Sequence, residues 1–322
     1  MGRTNRLQGK VLYDVFIYSV NHNAEWRRLA GIANHQPPHC PPVKRGPGVD
    51  EPGFFVECEA QYTAQLYGHI KRYQLRSKFT PRVISSGEWE VWAVWDDNRP
   101  PVSNPAEIGC LDPRAPNMGK RVILKHGAKL GLETDEHVYH LRRMLKGVAE
   151  GQDEILSGVS NPQESNMDYM GGIDFRKGCY LGQELTIRTH HTGVVRKRIL
   201  PLQFYLPTSP LPAKLRYDPT SPPLAPRPQV GELVNFYALD GSGKAVGRFL
   251  YGIGNVGLGL CRLGPMTNLD LRGLGTVDEV VPEFKIGLEP GGYAVRVKAF
   301  VPEWHLLGGA RRAPATAPGQ ES

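Results

Sequence analysis

The first half of the chain combines strand-like apolar runs with one helical stripe. Residues 11–20 (VLYDVFIYSV) are rich in β-branched and aromatic side chains, a composition that predicts a strand buried on both faces. Between residues 59 and 75, apolar side chains recur at the helical spacings of four, four and three. We expect this stripe to pack in a core rather than to bind a cofactor. It consists of Tyr62, Leu66, Ile70 and Tyr73.

Further strand-like segments surround this helix. They lie at residues 53–58, 78–84, 89–95 and 118–124. The resulting order, one strand, one helix and then several strands, favours a split βαβ sheet with helices on one face. Residues 34–53 are dense in proline and glycine, so we expect them to form an exposed loop.

The second half of the chain predicts one more helix and then a run of short strands. Residues 136–148 have an apolar side formed by Val138, Leu141, Leu145 and Val148. The proline-rich residues 206–228 can form neither a helix nor a central strand, and we interpret them as a linker with a long loop. The four runs ELVNFYAL, AVGRFLYGIG, VGLGLCRL and YAVRVKAFV then predict a small antiparallel barrel or sandwich.

Composition limits the class of protein. The chain has 322 residues, of which 40% are hydrophobic and 22% charged, enough to build two or three packed units. It lacks a run of about twenty apolar residues, which excludes a membrane span. The net charge of +7 favours acidic partners or nucleic acid, but a basic balance is also common in mitochondrial matrix proteins, so charge alone selects neither.

The cysteines and histidines predict no complete metal site within the chain. The five cysteines are odd in number, lie far apart and form no CxxC pair, which favours a reducing compartment over a disulfide framework. They are Cys40, Cys58, Cys110, Cys179 and Cys261. Prolines interrupt the group of His35, His39 and Cys40, and the pair His137 and His140 has no third ligand, so we expect these histidines to be ordinary surface residues.

One cysteine lies in a segment whose neighbouring residues favour a reactive or metal-binding thiol. In RKGCYLGQE, residues 176–184, Gly178 permits a tight turn before Cys179, and Gln183 and Glu184 resemble the start of a helix. A thiol near a helix N-terminus and beside Lys177 is stabilised as a thiolate, which is a nucleophile or a metal ligand. The alternative is a small buried side chain at a helix cap, with the glycines shaping the turn.

The residues that follow leave several roles open. His190 and His191 lie about a dozen positions after the cysteine, and a break at Gly193 would let them fold back toward it. Residues 196–198 (RKR) are the dense basic run of the chain, and we interpret them as a solvated strand face because no aromatic residues alternate with them to stack bases. Hydrolysis by a Cys, His and acid triad is disfavoured, since Asp174 and Glu184 have no evident orienting geometry.

These residues also carry a family resemblance. KGCYLGQE together with RTHHTGVVRKR resembles the signature of the folate-binding, T-protein-like iron-sulfur cluster assembly factors, whose eukaryotic branch is the mitochondrial Iba-type (Caf-type) family. The segments LQGKVLYDVFIY, ESNMDYMGGIDF, VGLGLCRL and FVPEW are similar to the same family. The resemblance therefore covers nearly the whole chain, with the proline-rich loops as insertions.

The resemblance implies an α+β fold with a T-protein-like three-part architecture. A folate-binding-like first domain would comprise residues 1–33 and 130–198, an inserted ferredoxin-like domain residues 54–129, and a C-terminal antiparallel β-barrel residues 199–310. Residues 311–322 would be a disordered tail. Family members begin with a transit peptide and a β-α segment, neither of which MGRTNRLQGK shows. A trimmed chain or a shortened gene is therefore expected.

The function implied by the resemblance is late iron-sulfur cluster assembly in the mitochondrial matrix. Such a factor works with A-type scaffold proteins to convert two-iron into four-iron clusters for enzymes such as aconitase and lipoate synthase, and is not a conventional enzyme. A transient cluster would be shared with the scaffold through Cys179, and His190 or His191 would add a ligand. The implied binding motif comprises Cys179, Lys177, Gly178, Tyr180, Gly182, Gln183 and Glu184, in which Gly178 and Gly182 let the partner approach closely.

Two other functions stay open at this point. The first is a tetrahydrofolate-dependent one-carbon (aminomethyl) transferase, although T-proteins typically lack this cysteine; tetrahydrofolate is accordingly a candidate second cofactor with no marked contact residues. The second is an RNA-linked binding module, since bacterial relatives are implicated in transfer-RNA modification and the chain is basic. We expect a monomer when the protein is alone, with no membrane partner and no nucleic-acid partner.

Overall fold

The structure, a computed structural model, shows a chain of mixed helices and strands. It describes residues 9–19, 53–85, 87–98, 108–128, 130–131, 134–175, 178–179, 182–191, 193–228, 232–269, 282–286 and 294–310. The chain divides into two compact units. The larger comprises Met1–Leu12, Pro113–Pro116 and Asp135–Ser322, and the smaller Tyr13–Asp112 and Asn117–Thr134. The α+β class is confirmed, whereas the division into three domains and the tail at 311–322, outside the described residues, stay predictions.

The described residues of the smaller unit form two antiparallel sheets and one α-helix. Strands β1 (Phe16–Ser19) and β2 (Phe54–Glu57) pair with each other. A short 3-10 turn leads into helix α1 (Thr63–Tyr73). Strands β3 (Trp89–Val94), β4 (Ile108–Leu111) and β5 (Lys120–Lys125) form a three-stranded sheet in the order β3-β5-β4. The core of this unit is formed by Tyr18, Phe55, Ile108 and Ile123.

Three sequence predictions for the smaller unit are wrong. Of the described residues 11–19, only 16–19 form a strand, and its burial alternates, with Tyr18 2% and Ile17 64% exposed, because β1 has one buried face. Residues 78–84 form no strand. Helix α1 has no buried residue, and Tyr73 at its end is 53% exposed, so the apolar stripe is not core. Helix and strand propensities identify segments that can form these elements, but burial depends on which other element packs against them.

The larger unit contains a closed antiparallel barrel. Its strands are β6 (Lys197–Tyr205), β7 (Asn235–Ala238), β8 (Ala245–Ile253), β9 (Val256–Arg262), β10 (Phe284–Ile286) and β11 (Arg296–Ala299). They close in the order β10-β11-β6-β9-β8-β7, which confirms the barrel and excludes the sandwich. Alternate side chains, among them Leu200, Leu202, Phe204 and Phe236, fill its interior.

Strand β6 has a proline near its middle and was not predicted. Pro201 is paired with Leu258 of β9, while its carbonyl oxygen accepts a hydrogen bond of 2.9 Å from the backbone N–H of Phe300. The strand is therefore central although the proline lacks a donor. The prediction for residues 206–228 is confirmed, since they contain neither helix nor strand, and the N–H of Ala225 bonds to the carbonyl of Gly254 at the β8–β9 turn.

Helix α2 (Glu136–Leu145) packs beside the barrel through a face that overlaps the predicted one only in part: Leu141 and Leu145 are half-buried, and Val148, beyond the end of the helix, is fully buried. Asp135 caps its N-terminus by accepting a hydrogen bond from the N–H of His137. Met144 and Arg143 are buried, whereas Val138 is exposed. Arg143 was missed because it is charged; it is buried because both of its terminal nitrogens donate to Glu154, at 2.7 and 2.6 Å.

Three further helices complete the described part of the larger unit. Helix α3 (Gln183–His191) follows the cysteine motif, α4 (Leu263–Met266) follows β9, and α5 (Glu303–Ala310) follows β11. Trp304 of α5 donates its indole N–H to the carbonyl of Lys146, at 3.0 Å. Among the described residues, none of the helices is long and apolar enough to cross a membrane.

Candidate functional site

Cys179 is exposed, four positions before the first residue of α3. Its exposure contradicts the alternative of a small buried side chain at a helix cap. Lys177 and Tyr180, which the sequence assigns to the same motif, lie outside the described residues. The thiol is therefore available to a ligand or to a partner, as both the nucleophile and the metal-ligand hypotheses require.

The two glycines of the motif have different surroundings. Gly178 is exposed, and among the described residues no atom lies within 4 Å of where a Cβ would be. Gly182 is buried, has a φ of +81°, and its carbonyl oxygen lies 2.4 Å from the position of a Cβ on Gly9. Gly9 and Gly182 therefore need glycine for backbone reasons, since both have a positive φ and a Cβ on Gly9 would overlap the backbone of Gly182. Gly182 thus lies in contact with Gly9 inside the chain, whereas Gly178 has an open surface, and the approach of a partner at these glycines stays a prediction.

The start of α3 is anchored to the segment that precedes the motif. Gln183 is half-buried, and Glu184 is exposed in the first helical turn, where a negative charge is favourable. Thr186, one turn further, is buried, and its carbonyl accepts a 3.1 Å hydrogen bond from the side-chain amide of Gln163. The helix thus holds a fixed position after the motif, because buried amide bonds of this kind are costly to break.

The two histidines at the end of α3 lie in different environments. The ring of His190 is stacked on that of Phe175, with a centroid separation of 3.7 Å and an interplanar angle of 13°. Its Nδ1 is buried and has no hydrogen-bond partner. Burial, and then the nearby charge of His191, lower the pKa of His190. His191 is exposed.

The described part of the chain brings together no group of three or more His, Cys, Asp or Glu side chains able to hold a metal ion. Within that part, the exposed thiol of Cys179 is a single ligand rather than one member of a complete set. A metal or cluster bound through it needs ligands beyond those that the described residues bring together, since four-coordinate sites of this kind are closed by four protein ligands.

A buried ion pair at the start of β6 corrects the interpretation of the basic run. Arg198 is 2% exposed, and its two terminal nitrogens donate to the carboxylate of Asp168 at 2.9 and 3.0 Å. The same guanidinium bonds to the carbonyl of Gln163 at 2.7 Å and lies 3.7 Å from the ring centroid of Tyr169. Residues 196–198 are therefore not a uniformly solvated face, because Arg198 points into the unit.

Tyr169, which lies against Arg198, also contacts a buried neutral histidine. His305 of α5 is 3% exposed, its ring lies 5.5 Å from that of Tyr169, and neither ring nitrogen has a hydrogen-bond partner. Burial, and secondly the charge of Arg198, lower the pKa of His305 to about 3. The histidine is therefore uncharged at neutral pH, which suits its place beside a buried guanidinium.

Comparison with known proteins identifies the family to which the chain is similar. Residues 196–306 match the CAF17 C-terminal β-barrel domain, in agreement with strands β6–β11. A protein of Neosartorya fischeri is 39% identical over 98% of this chain and 74% of its own length. Those of Pyricularia oryzae and Neurospora crassa are 40% and 39% identical over 92% of this chain, covering 73% and 70% of their own lengths. All three are named mitochondrial iron-sulfur cluster assembly factor IBA57 homologs.

This chain belongs to the IBA57 family. The resemblance seen in the sequence is thereby confirmed, and so is the mitochondrial location. The matrix and the transit peptide stay predictions.

In this IBA57-family chain the sequence marks Cys179 as a candidate site residue, which stays a prediction, but it does not mark the buried polar residues described above. Arg198, Asp168 and His305 are the main residues missed, because the isolated sequence gives no sign that charged or titratable side chains are buried. The segment ESNMDYMGGIDF, which resembled the family, was the available signal for Asp168 and Tyr169. Nothing comparable marked His305.

Proposed function

We propose that this IBA57-family chain assembles iron-sulfur clusters by supplying one ligand, the thiolate of Cys179, to a cluster that it shares transiently with an A-type scaffold protein. The observation that carries the proposal is the exposure of this thiol in a motif where the described residues offer no complete ligand set. The relatives are named iron-sulfur cluster assembly factors, which supports an iron-sulfur cluster as the group that is carried.

The chemistry of a shared cluster fits a single thiol. Cysteine binds iron as the thiolate, so its proton is released when the Fe–S bond forms. A two-iron cluster needs four protein ligands, and the scaffold would supply those that this chain lacks. Each chain alone then holds an incomplete set, which favours release of the cluster to a further acceptor. The cluster is cargo in this scheme and not a resident cofactor.

The surroundings of Cys179 agree with contact by a partner. Gly178 presents open space next to the thiol, so another backbone can approach it closely. Gln183 and Glu184 would orient the turn from the first residues of α3, and Lys177 and Tyr180 would complete the motif.

The remaining details of the proposal come from the family resemblance. The chain would act in the matrix and late in the pathway, delivering four-iron clusters to enzymes such as aconitase and lipoate synthase. Tetrahydrofolate would be a further ligand of a folate-binding-like domain comprising residues 1–33 and 130–198. We treat the protein as an assembly factor that is monomeric when alone.

Anaerobic reconstitution with ferrous iron and sulfide tests the ligand. The wild-type chain, Cys179→Ser and the control Cys58→Ser are each incubated alone and with an A-type scaffold, and clusters are followed by visible absorption and EPR. We expect a cluster signal that requires the mixture and is lost in Cys179→Ser, while Cys58→Ser and the circular dichroism of every variant match the wild type. An equal yield from Cys179→Ser would exclude the ligand role.

A further inference from the structure

The larger unit contains a cavity of about 320 Å³ to which the proposed function gives no role. Its walls come from β10, β11, helix α5 and the proline-rich loop at residues 206–228. Ligand pockets in proteins measure about 300–1,000 Å³, so this cavity admits only a small molecule. None of its described lining residues lies within 1–33 or 130–198, the stretches proposed to bind folate.

The lining of the cavity is mostly apolar. Phe284, Phe300 and Val301 line it. Leu211 and Leu306 line it as well and are 44% and 37% exposed, so a ligand can reach the cavity from solvent on that side. Walls of this kind bind the hydrocarbon part of a ligand, because removing apolar surface from water is favourable.

A lysine ammonium lies at the wall of this cavity. Nζ of Lys298 donates a 2.8 Å hydrogen bond to the carbonyl oxygen of Pro212 and lies 5.1 Å from the ring centroid of Phe300. Phe300 and both sequence neighbours of Pro212 line the cavity, which places the ammonium beside it. Within the described part of the chain, no carboxylate is among the contacts of this ammonium. Because an ammonium has three donor hydrogens, the bond to Pro212 leaves donors for a ligand.

The other charged residue among the described lining residues, Glu283, already has its partners. Its carboxylate accepts hydrogen bonds from Arg296 and, at 3.0 Å, from the hydroxyl of Tyr205. These hydrogen bonds, that from Arg296 first, hold the pKa of Glu283 below its usual value. Lys298 differs, because burial lowers the pKa of its ammonium and no acidic side chain of the described residues offsets that effect. A negatively charged ligand group would supply the missing counter-charge.

We infer that this cavity binds a small apolar monocarboxylate, whose carboxylate pairs with the ammonium of Lys298 and whose hydrocarbon tail lies against the apolar lining. The pairing gives a partly buried cation a charge-assisted hydrogen bond, and the tail leaves water in the same step. An amine of equal length would instead bring two positive charges together. The inference is independent of the cluster proposal, since it involves neither Cys179 nor iron.

Ligand-observed NMR titrations of the whole chain test the charge with three probes of equal tail length, hexanoate, hexan-1-ol and hexylamine. We expect hexanoate to bind at least about tenfold more tightly than hexan-1-ol, the factor that a hydrogen bond between charged groups contributes, and hexylamine to bind most weakly. Equal binding of hexanoate and hexan-1-ol would overturn the inference.

A series of acetate, butyrate and hexanoate tests the tail. If the tail enters the cavity, the affinity should rise by up to about fourfold for each methylene group that becomes buried. An affinity that does not depend on tail length would mean that the carboxylates pair with surface cations only, and the inference would fail. These comparisons use the wild-type chain, so they do not depend on the folding of any variant.

Two substitutions locate the site. Lys298→Met keeps an unbranched apolar stem and removes the charge, and Lys285→Met, at an exposed position of the neighbouring strand β10, is the matched control. We expect Lys298→Met to lose the preference for hexanoate over hexan-1-ol, whereas Lys285→Met should keep it. Circular dichroism shows whether each variant is folded. A folded Lys298→Met that retains the preference would show that the carboxylate binds elsewhere and would refute the assignment.

Discussion

Arg198 and Asp168 form a two-bond ion pair in which both side chains are almost fully excluded from solvent, with exposures of 2% and 1%. The pair joins the first strand of the barrel to the segment before the cysteine motif. Residues 169–197, which include Cys179 and α3, lie between the two partners in the sequence. The ion pair therefore links two segments of the chain that flank the cysteine motif and α3 in the sequence.

Removing the guanidinium should destabilise the larger unit strongly. Arg198→Met leaves the carboxylate of Asp168 buried without its partner, and we expect a loss of about 3–5 kcal/mol in the free energy of unfolding. Urea denaturation followed by circular dichroism provides the measurement. Arg196→Met, two positions earlier in the same basic run and exposed, should change that free energy by less than about 0.5 kcal/mol. Equal effects of the two substitutions would contradict the structural difference between them.

Local patterns were sufficient to predict much of this fold. The glycine-punctuated runs in the C-terminal third correspond to β7, β8, β9 and β11, since alternation and turn residues are encoded within each strand. The helix ahead of the barrel was also found from its spacing. The exposed cysteine was identified because its neighbouring glycines and helix signals are local in sequence.

Burial and long-range pairing could not be predicted in the same way. β6 was missed because Pro201 contradicts the usual pattern of a central strand, and β10 because it has three residues. Arg198 was expected on the surface and nothing in the sequence marked Arg143 as buried, yet each is paired with a carboxylate elsewhere in the sequence. A charged side chain reveals such a partner only once the chain is folded.

His305 should make the larger unit sensitive to acid. Its pKa of about 3 in the folded state lies below the ordinary value of 6.5, so between these values the unfolded chain binds a proton that the folded chain does not. The contribution of this histidine to the free energy of unfolding is therefore fully present above pH 6.5 and is lost as the pH falls below that value. From pH 7.5 to 5.5 this one group should cost about 1.4 kcal/mol in the free energy of unfolding.

His305→Phe tests this linkage. Phenylalanine retains a ring against Tyr169 and Trp304 but cannot bind a proton, so the variant should lose about 1.4 kcal/mol less than the wild type over the same pH interval. Urea titrations at pH 7.5, 6.5 and 5.5 give the comparison. An unchanged pH dependence in His305→Phe would show that another group is responsible.

Gly9 should not tolerate a side chain. Its φ of +71° is strained for any other residue, and a Cβ would lie 2.4 Å from the carbonyl oxygen of Gly182. Since the contacting atom is backbone, the chain has to shift to relieve the overlap, and Gly9→Ala should lower the free energy of unfolding by at least about 1–3 kcal/mol. Urea denaturation measures the change, and a neutral outcome would mean that the two backbones do not meet in solution.

Gly178 should behave in the opposite way, because its side-chain position is open. No atom of the described residues lies within 4 Å of a Cβ there, and its backbone does not require a positive φ. Gly178→Val should therefore match the wild type in urea denaturation to within about 0.5 kcal/mol. If the partner approaches Cys179 across this surface, the same variant should reduce cluster formation with the A-type scaffold, and Gly178→Ala should reduce it less. Since the isolated chain tolerates both side chains, any such loss has to arise from the partner, and full activity of Gly178→Val would place the scaffold on another side of the thiol.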